Sequence, residues 1–421
     1  MTATQFTIIF LGALALTTVA KLWLARRHLA YIAAHRATVP EAFREKIALA
    51  DHQKAADYTS AKARFAMLGV LFDTTLLLLF TVAGGIQFIA GICNGWFSSP
   101  LIQGMATIVA VLLLSSLLEA PFSIYRTFVI EARFGFNKMT FALYLLDTLK
   151  GLLLGAILGL PLLFGVLWLM ERMGEYWWLY VWLVWVVFNL LILFIYPSFI
   201  APLFNKFSPM KDEAMKARIE ALLNKCGFTA QGLFVMDGSK RSAHGNAYFT
   251  GFGKTKRIVF FDTLLERLSG NEIEAVLAHE LGHFKRRHVM KRIVATFIIS
   301  LGFLWVLGLL MQTTWFYQGL GVTHSTSSGQ GSPTALALLL FFMIMPIFSF
   351  LLHPLSSAYS RKHEFEADAY AAKQTDAADM VNALVKLYQD NASTLTPDPL
   401  YSAFYDSHPP AMVRISRLQT Q

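Results

Sequence analysis

Residues 275–288 read AVLAHELGHFKRRH, in which two histidines stand four apart with a glutamate beside the first. On an α-helix His279 and His283 lie one turn apart on the same face, so both imidazoles can reach one ion. Glu280 projects next to them and can take a proton from an ion-activated water without being a ligand itself. Gly282 leaves room for another element to pack close behind. The competing reading is an accident of spacing on a basic helix, with imidazoles that make ordinary surface hydrogen bonds.

Zinc in a hydrolase needs a third protein ligand and an open coordination position. The metzincin arrangement is excluded, because Val289 stands where its third histidine belongs and Arg286 where its glycine belongs. His288 is one position off that register, and is expected to pair on the helix surface or at the membrane interface. A better candidate lies in RKHEFEAD, residues 361–368. Glu364 and Asp368 share a helix face there, one able to ligate and the other able to hold a ligand histidine by its second nitrogen. Glu366 points about 160° away from Glu364, at roughly 100° per residue. A solvated charged helix is the bland alternative, and it loses ground because both helices abut apolar segments on one side of the membrane.

The elements that must position these residues are unusual for an enzyme. The 421 residues are 55% hydrophobic and only 15% charged, with a mean hydropathy of +0.50. That composition belongs to a membrane protein. Seven apolar stretches are long enough to cross about 30 Å of hydrocarbon as helices: 6–24, 65–92, 101–118, 144–170, 176–200, 293–311 and 335–352. The first lacks a basic start and is followed by Lys21, Arg26 and Arg27, so it is expected to be a retained anchor and not a signal peptide. Lysine and arginine crowd 26–64, 126–138, 202–292 and the C-terminal tail, and are missing from 93–100 and 314–334. The positive-inside rule then puts the N-terminus outside and the C-terminus in the cytoplasm, as an odd number of spans also requires. The net charge of +9 follows from this topology and from contact with anionic lipid headgroups. No basic and aromatic pattern suggests nucleic acid. Cys93 and Cys226 fall on opposite sides of the membrane, so no disulfide is expected between them.

The expected fold is mostly α: a polytopic membrane protein with seven transmembrane helices plus a small cytoplasmic α/β domain carrying the candidate zinc site. Residues 1–201 hold helices one to five with basic loops, of which 26–64 looks helical from its Ala, Lys and Glu content. Residues 202–292 form an α/β region ending in the HELGH helix, which passes into span six. Here KDEAMKARIEALLNKCG reads as a helix, GLFVMDG as a strand, and NAYFTGFGKTKRIVFFD as two strands about a Gly-Lys turn. Residues 293–354 hold helices six and seven, joined by a polar Ser/Gly loop at 323–333. Residues 355–421 carry the acidic helix and a Pro-rich tail, and the two cytoplasmic pieces are expected to fold together.

Several charges near the spans need placing. A charge facing lipid at the bilayer centre costs at least about 2.5 kcal/mol. Asp73 and Glu119 are therefore expected to face inward, and Asp147 to pair with Lys150 three residues on. His244 reads as a substrate contact or bystander, and His353 as a helix-end group.

Four ordered motifs, LAHELGHF, SRKHEFEADAYA, HGNAYFTGFGKTKRIVFFDTLL and SHPPAMVRISRL, together with the link IEARFGFNKMT, resemble the CAAX prenyl protease type 1 family of seven-helix membrane zinc metalloproteases. The resemblance covers most of the chain. It implies one zinc ion held by His279, His283 and Glu364, with Glu280 as general base and Asp368 behind the ligands. It also implies that Asn246 and His408 contact the scissile peptide or stabilise the oxyanion, and that Arg414 anchors that region. The implied architecture is a ring of helices around a large water-filled chamber. The implied substrates are prenylated C-terminal tails, cut before the last three residues.

Two other functions stay in view. One is a membrane-protein quality-control metalloprotease, which shares HExxH and a glutamate helix but has fewer spans and a shorter chain. The other is a non-proteolytic chaperone or channel with a structural zinc site, which requires a fourth protein ligand such as His408. Short loops and the lack of a dilysine tail point to a bacterial inner membrane, where processing of prenylated tails would be a latent capacity.

Overall fold

The computed structural model describes residues 1–228, 232–250, 257–323 and 333–420. Seven helices among them are long and apolar enough to cross a membrane: Ala3–His35, Leu49–Phe80, Pro100–Glu131, Phe141–Arg172, Gly174–Phe204, His288–Leu310 and Pro333–Gln374. Local chemistry sets their starts. Thr2 and Gln5 form a reciprocal capping box on the first, and Thr140 caps the fourth by accepting from the amide of Leu143. On the fourth and fifth helices large apolar side chains such as Leu153, Ile157, Val187 and Phe194 stay exposed. In water these would be a liability; in a bilayer they are the surface that meets lipid tails.

The second span departs from the sequence expectation of 65–92. Its helix runs Leu49–Phe80 and stops, and a short helix, Gly85–Trp96, follows. Apolarity is continuous across the break, so hydropathy cannot register it. Gly84 adopts a left-handed φ of +82°, and a Cβ on Gly85 would sit 2.6 Å from the carbonyl oxygen of Leu79. Only glycines allow the chain to reverse so tightly.

Outside the seven spans lies a four-stranded sheet in the order β1 (Phe207–Pro209), β2 (Gly232–Met236), β4 (Arg257–Phe261), β3 (Ala247–Thr250). β2 and β4 are parallel, the other pairs antiparallel, and β3 is an edge. The turn expected between β3 and β4 and most of the polar loop expected at 323–333 lie outside the described residues. One face of the sheet packs Ile258 and Phe260 into a core with Leu277, Leu281 and Ala371. That core joins the HELGH helix, Gly270–Lys285, to the acidic helix, His353–Gln374, so the segments flanking the sixth and seventh spans do fold together.

The link after the first span joins them. It is helical up to His35 and again from Leu49, but residues between break into a short turn at Glu41–Phe43. Val39, Phe43 and Ile47 from this break pack against Ala275, Leu384 and Ile415 in a second core. A further tie comes from Arg27, whose guanidinium grips the buried Asp398 at 2.9 Å. The N-terminal helices and the C-terminal half thus share one buried framework.

Candidate active site

The HELGH helix begins with a capping box. Ser269 and Glu272 satisfy each other's backbone donors, and Lys386 holds Glu272 from the neighbouring helix Ala377–Asp390 at 2.7 Å. The helix then crosses the acidic helix at Gly282, where a Cβ would meet Cα of Ala367 at 3.0 Å and Cβ of Tyr370 at 3.1 Å. The glycine therefore sets how closely the two helices approach.

That approach brings three ligand atoms together. His279 Nε2 lies 3.1 Å from His283 Nε2 and 3.5 Å from Glu364 Oε2, and His283 Nε2 lies 3.4 Å from Glu364 Oε1. Donor atoms tetrahedrally arranged at 2.0–2.1 Å from zinc stand about 3.3–3.4 Å apart. The Glu364 Oε2 atom is moreover buried without a hydrogen-bond partner, which a carboxylate tolerates poorly unless a cation faces it. Two imidazole nitrogens and an orphaned carboxylate oxygen at this spacing fit a zinc ion. Among the described residues the donor atoms mutually within 4.8 Å are those of His279, His283 and Glu364.

A second layer holds these groups. Asp368 accepts from His279 Nδ1 at 2.8 Å, and Arg414 donates to the same carboxylate through Nε at 2.8 Å and Nη2 at 2.6 Å. All three are buried. Burial alone would hold His279 neutral, but the bonds to Asp368 and Glu364 override it and raise its pKa to about 9. His283 goes the other way: burial and the neighbouring His279 push it down to about 3. Glu280 faces the same space, and burial raises its pKa above the ordinary carboxylate range.

The remaining predicted residues are placed as follows. His408 directs Nε2 to within 3.5 Å of Glu364 Oε2, and desolvation keeps its imidazole below the usual value. Ser407 Oγ lies 3.1 Å from its Nδ1; a hydroxyl donating there leaves the ring hydrogen on Nε2. Asn246 immediately precedes β3, and its side chain accepts from the amide of Ala247 at 2.8 Å. Both line a cavity of about 1070 Å³ that also takes in His279, Glu280, Glu364 and Arg414. The cavity runs from these groups down to Gly69, Phe72, Asp73, Glu119 and Phe122 of the second and third spans, so Asp73 and Glu119 do face inward.

Two expectations need correction. Asp147 pairs not with Lys150 but with Arg241, at 2.8 and 3.1 Å, while Lys150 donates to the carbonyl of Leu203 at 2.7 Å. Arg241 supplies a planar guanidinium that reaches both carboxylate oxygens, a better match than a neighbour on the same helix. His244, read as a substrate contact or a bystander, has its Nδ1 3.0 Å from Asn391 Oδ1 and its ring stacked on Phe136. His288 does not lie on the helix surface. It is buried, with Nδ1 3.0 Å from His283 Nδ1 and Nε2 3.0 Å from Glu366 Oε2. A break in the helix that the sequence pattern does not show brings it there. The HELGH helix ends at Lys285, Arg287 takes a left-handed φ of 56°, and the sixth span starts afresh at His288. Had the helix continued, His288 would stand roughly 140° around from His283.

Comparison with known proteins agrees with this geometry. Residues 28–206 match the CAAX prenyl protease N-terminal domain, with its five membrane helices, and residues 209–421 match peptidase family M48. The chain belongs to the CAAX prenyl protease type 1 family of M48 peptidases. A CAAX prenyl protease 1 homolog of Oryza sativa is 35% identical over 401 residues, covering 91% of this chain and 92% of its own. CAAX prenyl protease 1 of Saccharomyces cerevisiae is 33% identical over 399 residues, covering 90% and 88%. The crystal structure of S. mikatae Ste24p superposes with a TM-score of 0.92 at 30% identity, covering 98% of this chain and 99% of that one. This member of the family is thus an integral membrane zinc metalloendopeptidase acting on polypeptides, with its membrane helices around a chamber.

Proposed function

We propose that this peptidase cuts prenylated or otherwise membrane-associated polypeptides near their C-termini, at one zinc ion held by His279, His283 and Glu364. The observation that carries the reading is the single cavity shared by the ligand cluster, Glu280 and the membrane helices. A lipid-bearing tail could lie among the spans while its peptide reaches the ion. Three ligands of one protein leave the fourth position open, which favours catalysis over a structural role.

Zinc, when bound, supplies a Lewis acid that brings the pKa of water from about 15.7 towards 7 and polarises the peptide carbonyl. Glu280 takes the proton of the attacking water on a carboxylate oxygen. As the C–O bond forms and the C–N bond breaks, it delivers that proton to the leaving amine. Its raised affinity for a proton suits both halves of the task. His408 Nε2–H and the Asn246 amide donate to the oxygen that becomes negative. Loss of one such donor commonly costs about 3 kcal/mol of barrier. Arg414 keeps Asp368 in place, and Asp368 keeps the proton of His279 on Nδ1, so that Nε2 faces the ion. The β3 edge offers backbone groups to an extended substrate, which binds varied sequences without reading each side chain.

We read the excess of lysine and arginine in 26–64, 126–138 and 202–292 as favouring an N-terminus outside and a catalytic half in the cytoplasm, in a bacterial inner membrane. The test is mass-spectrometric detection of cleavage of a farnesylated CAAX peptide and its unprenylated twin, with and without a zinc chelator. Chelator-sensitive release of the last three residues from the farnesylated peptide is the expected outcome. Failure to cut either peptide, with digestion of misfolded membrane proteins instead, would move the assignment to quality control.

A further inference from the structure

We infer that His288 and Glu366 are positioning residues of the zinc site, forming a relay that fixes which nitrogen of His283 is free to bind metal. The inference rests on the assignment of His283 as a ligand. Its warrant is a chain of donors and acceptors that can be read from one end. An ionised Glu366 carboxylate only accepts, so the hydrogen on His288 sits on Nε2, 3.0 Å from Oε2. In a neutral ring His288 Nδ1 is then bare and can only accept. It lies 3.0 Å from His283 Nδ1, which must therefore carry its hydrogen and donate it. His283 Nε2 is left with its lone pair directed at His279 and Glu364.

The two ligand histidines thus receive the same service by different means. His279 is held directly by a carboxylate, Asp368. Among the described residues no carboxylate pairs with His283 Nδ1, and a second imidazole spans the gap to Glu366. The intermediate ring is fixed on its other face: it stacks on His363 at 4.0 Å with planes 9° apart. Its side chain is 1% exposed, against 30% for Glu366, so the chain of bonds runs from the buried site out towards water. The left-handed turn at Arg287 is what returns His288 beneath His283.

The test is zinc affinity of the full-length, detergent-solubilised protein, measured by competition with a chromophoric chelator. His288→Phe keeps a flat ring to stack on His363 but cannot accept from His283. His288→Asn loses the ring but can place Oδ1 near the former Nδ1. The relay predicts about 10–100-fold weaker zinc binding for the Phe variant, and a smaller loss, within about threefold, for the Asn variant. Packing alone predicts the reverse order. Glu366→Leu, on a partly exposed position, is expected to weaken binding by about tenfold with the thermal midpoint of the metal-free protein unchanged. Wild-type affinity in both His288→Phe and Glu366→Leu would overturn the relay. His283→Ala separates the two levels: if it retains wild-type zinc affinity the ligand assignment itself fails, whereas its loss alongside intact affinity in the other two variants refutes the relay alone.

Discussion

The two ends of the cavity are built on opposite terms. At the catalytic end the polar groups are closely ringed: Asp368 bonds Arg414 and His279, Glu364 faces three imidazoles, and His288 lies between His283 and Glu366. At the membrane end Asp73 and Glu119 stand exposed to the cavity on long helices, beside Gly69 and the ring of Phe72. Bond breaking needs atoms held to within a fraction of an ångström. Holding a variable tail needs room and water. One cavity therefore combines a rigid end with a permissive one, and substitutions should separate them.

The largest effects belong at the tight end. Glu280→Gln is expected to lower kcat by about 10³-fold while zinc content, measured by atomic absorption, stays at one per chain. Glu364→Ala loses the metal itself, and wild-type zinc in that variant would break the assignment. His408→Ala is expected to cost about 10²-fold in kcat with KM little changed, as befits a group that acts on the transition state. Arg414→Ala strands the buried Asp368 carboxylate, and stability should fall by about 3–5 kcal/mol, visible as a drop in thermal midpoint.

pH sharpens the comparison further. His279 has its pKa raised from 6.5 to about 9 in the folded, metal-free protein. The stability this proton contributes is fully present below about pH 6.5 and lost as pH rises through 9. The thermal midpoint of chelator-treated protein should therefore decline over that window. Zinc displaces the same proton, so the zinc-loaded protein should not show the decline.

Smaller effects follow from packing and from the permissive end. Gly282→Ala forces apart two helices whose backbones nearly touch, and about 1–3 kcal/mol of stability should be lost. Asp73→Asn and Glu119→Gln should change kcat for an unprenylated peptide by less than about threefold, because neither touches the reacting atoms. A hundredfold loss in either would show that the membrane end takes part in the chemistry.

Much of this was legible in sequence because it obeys local periodicity. His279 and His283 follow from helical spacing, and so do Glu364 and Asp368 on their own helix. The apolar runs located all seven spans. What stayed hidden depends on single backbone angles or on distant partners. The break at Gly84 sits in uninterrupted apolar sequence, and the turn at Arg287 in an uninterrupted helical pattern. Arginine is a poor candidate for a left-handed conformation, so no residue preference announces the turn that recruits His288. Arg241 lies 94 residues from its partner Asp147, beyond anything spacing can suggest. Val39, Phe43 and Ile47 were read as part of a basic link, and their apolar stripe has meaning only against Ala275 and Ile415.

The tie between Asp368 and Arg414 also has a consequence for synthesis. A ribosome makes the HELGH helix first, the third ligand 81 residues after His283, and the arginine that steadies the whole arrangement another 50 residues after Glu364. On the proposed roles, a nascent chain carries the base Glu280 long before it can hold a metal firmly beside it. On that reading proteolytic competence arrives late in translation, once the seven described membrane helices have been made.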